Sequence, residues 1–485
     1  MSSINAPTYD PTSTAQAMAQ KTTAAAQQQL TDQTKASSAA ASALSSLGSA
    51  ISAFQASLGS LTGLGKSMLA QSATLSDTNI GSASAQASAA AGTYSLFVEQ
   101  VATANQVSYT LPDTTAKNVG GILTVKLAAP DASDPNVLGN AAGVSFKVYL
   151  DSSADTDKNG TLSAREIAAA INQAPDNKGQ VSAGVITLNN GESRLVLTSK
   201  NTGAANSVWL DADDASDPNL RVTDPDLRTA LGARNVVSAA KDAIVHFGGV
   251  PGTGVKVQQP SNTFSNIDGV SLTVSRAQAT NDPAATLMVA GNNAGTISNV
   301  QAFVDAYNKL KSAIDGLADP GNPDTNKSAG AFAHDAGVRA LQNSLVNLLR
   351  SSGTVSLASY GITASRQGTL TLDSSRLTKQ LAINPSGLDK LIGSSSASAP
   401  SGIAASLDTY LKQWSNSGTG QIKQRTDANT KVQAQLTKRQ AELDTQYNAA
   451  YDRYLKQFTD LQTLQAKMNS NVSMFDALFG NDKSN

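Results

Sequence analysis

The sequence predicts a multidomain α+β protein. Antiparallel N- and C-terminal coiled-coil helices flank a mixed α/β domain and inserted β-rich domains. Three observations predict this class. Apolar residues recur at helical spacing near both ends of the 485-residue chain. In the middle of the chain apolar and polar residues alternate with the period of two that is typical of strands. The segments after residue 285 show both patterns. A chain of this length is also too long for a single hydrophobic core.

The first element is a helix with a narrow apolar seam. The members of this seam follow one another at alternating steps of three and four: Leu44, Leu47, Ile51, Phe54, Leu58 and Leu61. This spacing is typical of a coiled coil. Upstream, residues 13–43 contain few large apolar side chains, and an isolated helix of that composition is marginal in water. We therefore expect residues 1–43, and likewise 470–485, to be flexible leg segments that become ordered on docking.

The middle of the chain predicts half-buried strands. Apolar and polar residues alternate in "GILTVKLAA", "GVSFKVYLD" and "DGVSLTVSRA". Asn190 and Gly191 separate two further alternating runs, and this dipeptide favours a hairpin turn because both residues tolerate positive φ. We expect residues 107–140 and 232–284 to form a β-rich domain, and residues 141–231 to form an inserted β-rich tip domain with one helix.

After residue 285 helices and strands mix. "SNVQAFVDAYNKL" and "VRALQNSLVNLL" have helical spacing, whereas "GTLTLDSSRLTKQL" begins as a strand and turns into a helix at Asp373. A polar linker at residues 393–402 precedes the C-terminal helices. We expect residues 44–106 and 285–469 to form one domain that combines coiled-coil helices with mixed α/β structure.

The C-terminal helix carries a second apolar stripe. Its members recur at steps of three, four and seven: Val432, Leu436, Leu443, Tyr447, Tyr454, Phe458, Leu461, Met468, Val472 and Phe475. Steps of four outnumber steps of three, so the stripe drifts from strict heptads and predicts a weak supercoil. We expect the two stripes to pack together as an antiparallel hairpin. This pairing is compatible both with contacts inside one chain and with contacts to neighbouring subunits.

Composition narrows the function classes. The formal net charge of -1 provides no basic footprint for nucleic acid. The chain has no cysteine, which removes disulfides, cysteine-based zinc sites and thiol nucleophiles. His246 and His334 are the only histidines and lie far apart in sequence, so we predict no catalytic residues and no enzyme. No apolar run reaches the roughly 18 residues of a membrane span, and the first residues do not resemble a cleaved signal peptide.

One motif points to a metal. The stretch "DTDKNGTLSARE" fits every ligand position of a twelve-residue EF-hand calcium loop, with Gly160 at the sharp turn. The ligands would be Asp155, Asp157, Asn159, the carbonyl of Thr161, Ser163 through water, and Glu166. The same stretch fits a turn followed by a capping box, in which Ser163 and Glu166 begin a helix. Because a strand-like run precedes the loop, we favour the capping interpretation and predict no metal and no cofactor. Calcium binding is the alternative.

Several short strings resemble a known family. In chain order they are "ASAAAGTYSLFVEQVATANQ", "SNVQAFVDAYNKL" and "GTLTLDSSRLTKQLAINPSGLDKLIG". Together, and framed by two terminal coiled-coil helices, they resemble the flagellar filament cap proteins, the FliD family, also called hook-associated cap proteins. Family members usually open with a segment similar to S-G-L-D, in place of which this chain has "MSSINAPTYDPTST".

The resemblance implies a structural role in the bacterial flagellum. It implies a ring-like homo-oligomer of about five subunits that sits at the distal filament tip and promotes folding and insertion of exported flagellin. The implied partners are further copies of the chain, flagellin and a flagellar export chaperone. The implied location is extracellular, reached without a cleaved signal peptide, and adhesion to host mucin is an additional implied role. A hook-filament junction protein and a calcium-binding extracellular adhesin are the alternative functions.

Overall fold

The structure is a computed structural model that describes residues 10–111, 120–139, 143–189, 192–213, 221–350 and 356–479. The chain divides into two units. The helical unit consists of Met1–Leu69 and Asn293–Asn485, and the β-rich unit consists of Ala70–Asn292. Both ends of the chain therefore belong to the same unit, and the β-rich unit is an insertion between them.

The elements are numbered along the whole chain. The helices are α1 (Pro11–Thr62), α2 (Ala164–Gln173), α3 (Pro225–Gly232), α4 (Asn293–Ala318), α5 (Ala336–Arg350), α6 (Ser374–Ile383), α7 (Pro385–Ile392), α8 (Gly402–Ser415) and α9 (Gln421–Phe479). The strands are β1 (Gln71–Leu75), β2 (Gly81–Ala85), β3 (Gly92–Gln100), β4 (Ala104–Leu111), β5 (Ile122–Leu127), β6 (Val144–Tyr149), β7 (Val181–Thr187), β8 (Ser193–Thr202), β9 (Val208–Asp211), β10 (Asn235–Ser238), β11 (Ala243–Phe247), β12 (Val255–Gln259), β13 (Thr263–Phe264), β14 (Val270–Val274), β15 (Ala285–Gly291), β16 (Ile362–Ala364) and β17 (Leu370–Leu372). Among the described helices, none combines the length and the apolarity that a membrane span requires.

The core of the helical unit forms where α1 meets the shorter helices. Five of the six predicted seam residues of α1 are buried there, and the sixth, Leu61, packs against them partly buried. The predicted apolar face of α4 is buried in the same core, with residues Val300, Phe303, Val304, Tyr307, Leu310 and Ile314. The rings of Phe54 and Tyr307 meet edge to face with their centroids 6.4 Å apart, a favoured aromatic geometry. The periodicity therefore predicted this core correctly.

The start of α1 has a complete N-terminal cap. The Asp10 carboxylate accepts hydrogen bonds from the backbone N–H groups of Thr12 and Ser13, and Pro11 occupies the first helical turn, where its missing N–H costs nothing. From there α1 runs without a break to Thr62. The predicted boundary after residue 43 therefore falls inside a continuous helix.

The β-rich unit is built from antiparallel sheets. Its described strands form a five-stranded sheet with the order β1-β15-β3-β11-β12, a four-stranded sheet with the order β10-β4-β8-β7, and two three-stranded sheets, β13-β14-β2 and β6-β5-β9. The predicted strands in "GILTVKLAA", "GVSFKVYLD" and "DGVSLTVSRA" correspond to β5, β6 and β14. Strands β7 and β8 pair as a hairpin, and the turn dipeptide at 190 and 191 lies outside the described residues.

Two hydrophobic clusters fill the β-rich unit. One lies between the five-stranded sheet and the sheet β13-β14-β2. The other joins the four-stranded sheet, the sheet β6-β5-β9 and helices α2 and α3. The predicted domain boundary after residue 106 falls inside β4, because β4 pairs with β8 and β10 over its length. The predicted α+β class, with helices from both chain ends and antiparallel sheets, is confirmed.

Candidate functional site

The two longest helices of the described chain, α1 and α9, form a hairpin in the helical unit. Its antiparallel register is fixed by contacts between residues far apart in sequence. Gly48 lies against Ile422, Ser37 bonds to Asn429, and Gln27 and Gln440 exchange two hydrogen bonds of 3.2 Å. Because the α1 residue number falls as the α9 number rises, the two helices run in opposite directions. The predicted pairing of the chain ends is confirmed.

The residues that meet in the hairpin differ from those predicted. The apolar seam of α1 at residues 44–58 faces the core with α4 and α8 instead of the α9 stripe. Towards its N-terminus, α1 buries mostly small residues: Ala15, Ala19, Ser37 and Ala43, with Leu30 as the single large one. In the predicted stripe of α9, Leu443 is the member that is buried. Small side chains carry almost no hydropathy signal, so the periodicity could not reveal this part of the interface.

The polar contacts of the hairpin replace large apolar ones. The Ser37 hydroxyl donates to Asn429 Oδ1 at 2.9 Å, and the Asn429 side chain donates to the Ser37 carbonyl at 3.0 Å. The hydroxyls of Thr22 and Tyr454 lie 3.4 Å apart. Amide and hydroxyl pairs of this kind contribute about 1 kcal/mol each, less than a fully buried leucine. In the part of the hairpin formed by residues 15–37 of α1, each helical turn therefore contributes less stabilising free energy than a turn packed through leucines would.

A charged contact anchors the beginning of α9. The Arg425 guanidinium donates two hydrogen bonds to the Asp335 carboxylate, at 2.6 and 3.1 Å, and lies 5.3 Å from the ring centre of Trp414. Burial raises the pKa of Asp335, but the Arg425 guanidinium and the Val338 amide outweigh burial and hold this pKa below its ordinary value. Because Asp335 also caps α5 through Val338, this contact fixes α9 to the shorter helices.

Two of the family-like strings meet in the structure. The Asn308 side chain, from "SNVQAFVDAYNKL", donates to the Leu370 carbonyl and accepts from the Leu370 N–H, each at 2.8 Å. Leu370 opens β17 in "GTLTLDSSRL", and Asp373 then caps α6 by accepting from the Arg376 N–H. Asn308 thus satisfies both backbone groups of an edge strand residue. The two strings belong together because they form one packing unit.

The acidic loop that resembles an EF-hand lies in the β-rich unit between β6 and α2. Carboxylate oxygens of Asp155, Asp157 and Glu166 lie within 4.8 Å of one another, so the loop brings together the three charged ligands that the motif predicts. Asp155 and Glu166 are 7% and 6% exposed. Gly160 has a φ of 78°, a left-handed conformation that favours glycine. The loop enters from a strand, as the alternation of its flank predicts.

Hydrogen bonds from the loop already satisfy these carboxylates. Glu166 Oε1 accepts from the backbone and hydroxyl of Thr156, and its Oε2 accepts from the backbone and hydroxyl of Ser163. Asp155 accepts from the N–H groups of Asn159 and Gly160. Ser163 and Glu166 form the predicted capping box of α2. A hard cation such as calcium would use the same oxygens, and it would have to displace some of these donors.

The charge state of Glu166 reflects its surroundings. Burial raises the pKa of Glu166, but the hydrogen bonds from Ser163 and Thr156 outweigh burial and lower it to about 2, from an ordinary value of 4.5. Because the pKa is lower in the folded state, the ionised carboxylate contributes stability that is fully present above about pH 4.5 and is lost as the pH falls towards 2.

We expect Glu166→Gln to lower the stability of the β-rich unit by about 1–2 kcal/mol, because charged hydrogen bonds to the loop and the start of α2 are weakened. The loss should be the same in calcium and in chelator, and it should shrink as the pH falls below about 4.5. Urea unfolding followed by Trp209 fluorescence in a Trp414→Phe background measures it. The matched control is Arg165→Gln, an exposed neighbour on the same helix.

Calcium would change this outcome in a recognisable way. A rise in the stability of the wild-type chain on adding calcium, which disappears in Asp157→Asn, would show that the loop is a metal site and that the capping interpretation is incomplete. Asp157 makes this distinction because it is exposed and lies outside the capping box.

The two histidines belong to different units. His246 lies in β11 of the β-rich unit and pairs with Glu99 at 2.5 Å, whereas His334 belongs to the helical unit. The helical unit is built from both chain ends, and the antiparallel sheets of the β-rich unit are inserted between them in the sequence.

Comparison with known proteins identifies the family. Residues 8–105 match the flagellar hook-associated protein 2 N-terminus, and residues 240–470 match the flagellar hook-associated protein 2 C-terminus. The lateral flagellar hook-associated protein 2 of Vibrio parahaemolyticus is 32% identical over 83% of this chain and 85% of its own length. For the flagellar hook-associated protein 2 of Escherichia coli K12, the identity is 29% over 87% and 86%. The chain belongs to the flagellar hook-associated protein 2 family.

The fold agrees with this assignment. The crystal structure of the D1-D2-D3 domains of the flagellar cap protein FliD from Escherichia coli superposes with a TM-score of 0.55 at 26% identity, and the match covers 80% of this chain and 99% of that one. The predicted resemblance to the FliD family is therefore confirmed. The acidic loop lies in residues 106–239, outside the two matched ranges.

Proposed function

We propose that this chain is the subunit of a flagellar filament cap. It self-associates into a ring of about five copies, sits at the distal end of the filament outside the cell, and promotes the folding and insertion of exported flagellin. The proposal includes export of the chain without a cleaved signal peptide, assisted by a flagellar export chaperone. Membership of the hook-associated protein 2 family and the likeness to a flagellar cap protein of Escherichia coli support it.

The observation that carries the proposal is the α1–α9 hairpin. Its helices span 52 and 59 residues, about 80–90 Å at 1.5 Å per residue. A hairpin of this length has far more surface than the core of the helical unit covers, since the α9 residues after Tyr454 are mostly exposed. Long helices with an uncovered face are suited to contacts with other helical subunits.

The hairpin also explains how a cap could move as the filament grows. Along residues 15–37 of α1 the interface with α9 consists mostly of small side chains and of amide or hydroxyl pairs, with Leu30 as the single large buried side chain of α1. Sliding or bending such an interface costs less than moving a close-packed leucine seam. The action is mechanical: subunits bind, release and rebind, and no covalent bond changes.

The test is a deletion of the gene in the bacterium that carries it. We expect the deletion strain to release monomeric flagellin into the medium and to lose swimming motility, because exported subunits escape before they enter the lattice. Immunoblots of culture supernatant and electron microscopy of cells measure both effects. Complementation with the intact gene should restore filaments. Filaments of normal length in the deletion strain would contradict the cap proposal.

A second measurement separates capping from related roles. A hook-filament junction protein, when lost, would also cause flagellin to leak. Immunogold labelling distinguishes the two, because we expect label at the distal filament tip and a junction protein would be labelled at the base.

Adhesion to host mucin is a separate prediction, tested by comparing the binding of the purified chain to mucin-coated and albumin-coated surfaces. Equal binding to both would contradict it.

A further inference from the structure

One edge of the sheet β6-β5-β9 is open. Strand β6 lies at the end of this sheet, and β5 is its neighbour in the described structure. The Leu150 N–H donates to the Gly121 carbonyl at 3.0 Å, and hydrogen-bonded pairs alternate with non-bonded pairs along antiparallel strands. Every second residue of β6 therefore directs its backbone N–H and C=O groups away from β5. These residues are Ser145, Lys147 and Tyr149.

The described part of the chain provides no partner for these backbone groups. No described residue forms a hydrogen bond to the N–H or the carbonyl of residues 145, 147 or 149. All three residues are exposed, and their side chains share one face of the sheet because side chains alternate along a strand. A row of free backbone donors and acceptors is a template for pairing with another extended chain.

Two nearby edges are closed by side chains. At the free edge of β7, Asn172 bonds to both backbone groups of Ala183 at 2.8 and 2.9 Å. Asn177 does the same for Val181, with two bonds of 2.9 Å. At β9, two side chains bond to the backbone N–H and carbonyl of Val208: Asn105 and Arg234. The fold therefore satisfies the free backbone groups of these two edges and leaves those of β6 open.

A cleft of about 190 Å³ lies beside the open edge, between β6 and α2. Lys147 and Tyr149 line its β6 side, and Gln173 lines its α2 side together with the small residues Ala169 and Ala170. An α-helix is about 10 Å across, so a helix does not fit a cleft of this volume, whereas side chains of one extended strand do. The site is therefore shaped for an extended chain.

We infer that the β6 edge binds an extended polypeptide segment by strand addition, and that this segment belongs to exported flagellin before it has folded. The inference rests on the proposed cap function and assigns a binding site to it. An unfolded chain has free backbone groups along its whole length, and backbone groups pair with an open edge whatever the sequence. One edge can therefore receive many segments of the incoming chain in turn.

Ring symmetry argues against a second copy as the occupant. Two identical strands that pair through the same edge are related by a two-fold axis. A ring of five copies contains no two-fold axis between neighbouring subunits. The proposed assembly therefore leaves the β6 edge free for a different chain.

The charges beside the edge favour a segment that contains a carboxylate. Lys147 forms no salt bridge with a described residue. Glu166 also lines the cleft, but its oxygens accept hydrogen bonds from Thr156 and Ser163. An acidic side chain directly opposite Lys147 in an added strand lies on the same face of the sheet and gains an ion pair.

Binding at this edge is weak and reversible. The three open residues have two backbone groups each, so an added strand forms at most six hydrogen bonds with them. Their net contribution is opposed by the entropy lost when the incoming segment is ordered. A site that receives an unfolded chain must also release it for folding, and weak binding permits this release.

Methylated peptides test the backbone contact. The probe is a fluorescently labelled peptide of sequence TVEVT. When it pairs antiparallel with its glutamate opposite Lys147, the N–H groups of the glutamate and the threonines face β6, and those of the valines face away. We expect N-methylation of the glutamate and the last threonine to weaken binding to the purified full chain on the order of 10-fold or more. N-methylation of both valines should have less than about a 2-fold effect.

Fluorescence anisotropy measures both effects. The two methylated peptides have the same composition, so they differ only in which backbone groups are blocked. Equal losses from the two methylation patterns, or no loss from either, would show that the peptide does not add to β6 as a strand, and would overturn the inference.

A charge exchange tests the position of the segment. We expect Lys147→Glu to weaken binding of TVEVT on the order of 10-fold, and the peptide TVKVT to recover that loss in the variant, because the ion pair is restored with its signs reversed. Lys200→Glu, which changes an exposed lysine of β8, is the matched control and should leave binding unchanged. Unaltered binding in Lys147→Glu would place the peptide elsewhere and overturn the inference.

Photochemical cross-linking tests flagellin itself. Photoreactive benzoylphenylalanine replaces Ser145 at the open edge, or Lys200 as the control. Flagellin of the same bacterium is diluted out of urea into the purified chain and irradiated before or after it has refolded. At position 145 we expect on the order of 10-fold more cross-linked flagellin before refolding than after, because refolding removes the free backbone groups. The control position should give a low yield at both times.

Other cross-linking results contradict the assignment. Equal yields at position 145 before and after refolding would show that the edge does not select an unfolded chain. Cross-links between copies of the chain in place of flagellin would assign the β6 edge to self-association. Either result overturns the inference.

The outcomes separate this inference from the cap proposal. A deletion strain that leaks flagellin, combined with a β6 edge that binds neither the peptide nor unfolded flagellin, supports the cap and overturns the edge site. Cross-linking of unfolded flagellin at position 145, combined with filaments of normal length in the deletion strain, supports the edge site and contradicts the cap.

Discussion

Replacing Ile51 by Asp is expected to destabilise the helical unit by about 4–5 kcal/mol, enough to unfold a marginally stable unit at room temperature. Ile51 is fully buried in the core where α1 packs against α4 and α8. The substitution removes the transfer free energy of a large side chain and leaves a carboxylate without water or a partner. The ends of the chain should then separate, because this core fixes the start of the hairpin.

Tryptophan fluorescence can follow this unit alone. Trp414 lies in the same core as Ile51, and Trp209 belongs to the β-rich unit, so a Trp209→Phe background reports the helical unit. Urea unfolding in this background measures the loss. The control is Ser52→Asp, which adds the same charge at the next, exposed position of α1 and should change the stability by less than about 0.5 kcal/mol. Equal transitions for the two variants would show that the seam of α1 is not a core.

The sequence predicted the parts of the fold that depend on local spacing. Leu47 and Phe303 belong to sets of apolar residues at helical spacing, and both residues are buried in the core. Such spacing marks the face of a helix that becomes buried when another element packs against it. The strands β5, β6 and β14 followed in the same way from a period of two. Asp373 and Ser163 begin helices as their capping patterns predicted.

The sequence could not predict where a partner helix ends. Leu461 and Met468 have the same spacing as Leu443, yet Leu443 is buried and the other two are exposed. Periodicity identifies the apolar face of a helix, but it contains no information about the length of the opposite helix. The Asp10 cap sets the start of α1 at Pro11. Which α9 residue lies opposite Pro11 depends on the register of the hairpin, and the sequence does not contain that register.

Small and polar contact residues were missed for a related reason. Ala15, Ala19 and Ser37 form the α1 side of the hairpin, and Asn308 joins α4 to β17. The role of each of these residues depends on which residue the fold places opposite it, and the sequence alone does not give that partner.

The acidic loop differs, because the residues that come together in it are also neighbours in the sequence. The structure places the carboxylates of Asp155 and Glu166 close together, as the alternative interpretation of the loop requires.

Asn105 is a buried polar residue whose role only the structure reveals. It lies in β4 and is fully buried. Its side chain accepts from the Val208 N–H and donates to the Ser238 carbonyl, each at 2.8 Å. These bonds connect β4 to β9 and β10, two strands that belong to different sheets. One side chain therefore satisfies backbone groups where the sheets of the β-rich unit meet.

Asn105→Ala is expected to destabilise the β-rich unit by about 3 kcal/mol. The change removes the acceptor of the buried Val208 N–H and a donor to the partly buried Ser238 carbonyl. A buried polar group that loses its partner costs about 1–3 kcal/mol. Urea unfolding followed by Trp209 in a Trp414→Phe background measures the loss, because Trp209 adjoins Val208. Hydrogen exchange of the segment 203–211 should also accelerate, since the Val208 N–H loses its acceptor.

Gln106→Ala is the matched control for Asn105, because it truncates the neighbouring side chain, which makes one hydrogen bond of 3.3 Å to Thr198. We expect it to cost less than about 1 kcal/mol. If both variants lost the same stability, the effect would come from trimming β4 in general. If Asn105→Ala also left the exchange of segment 203–211 unchanged, the bond to Val208 would not hold the two sheets together, and the stability of this junction would have to come from the apolar residues around it.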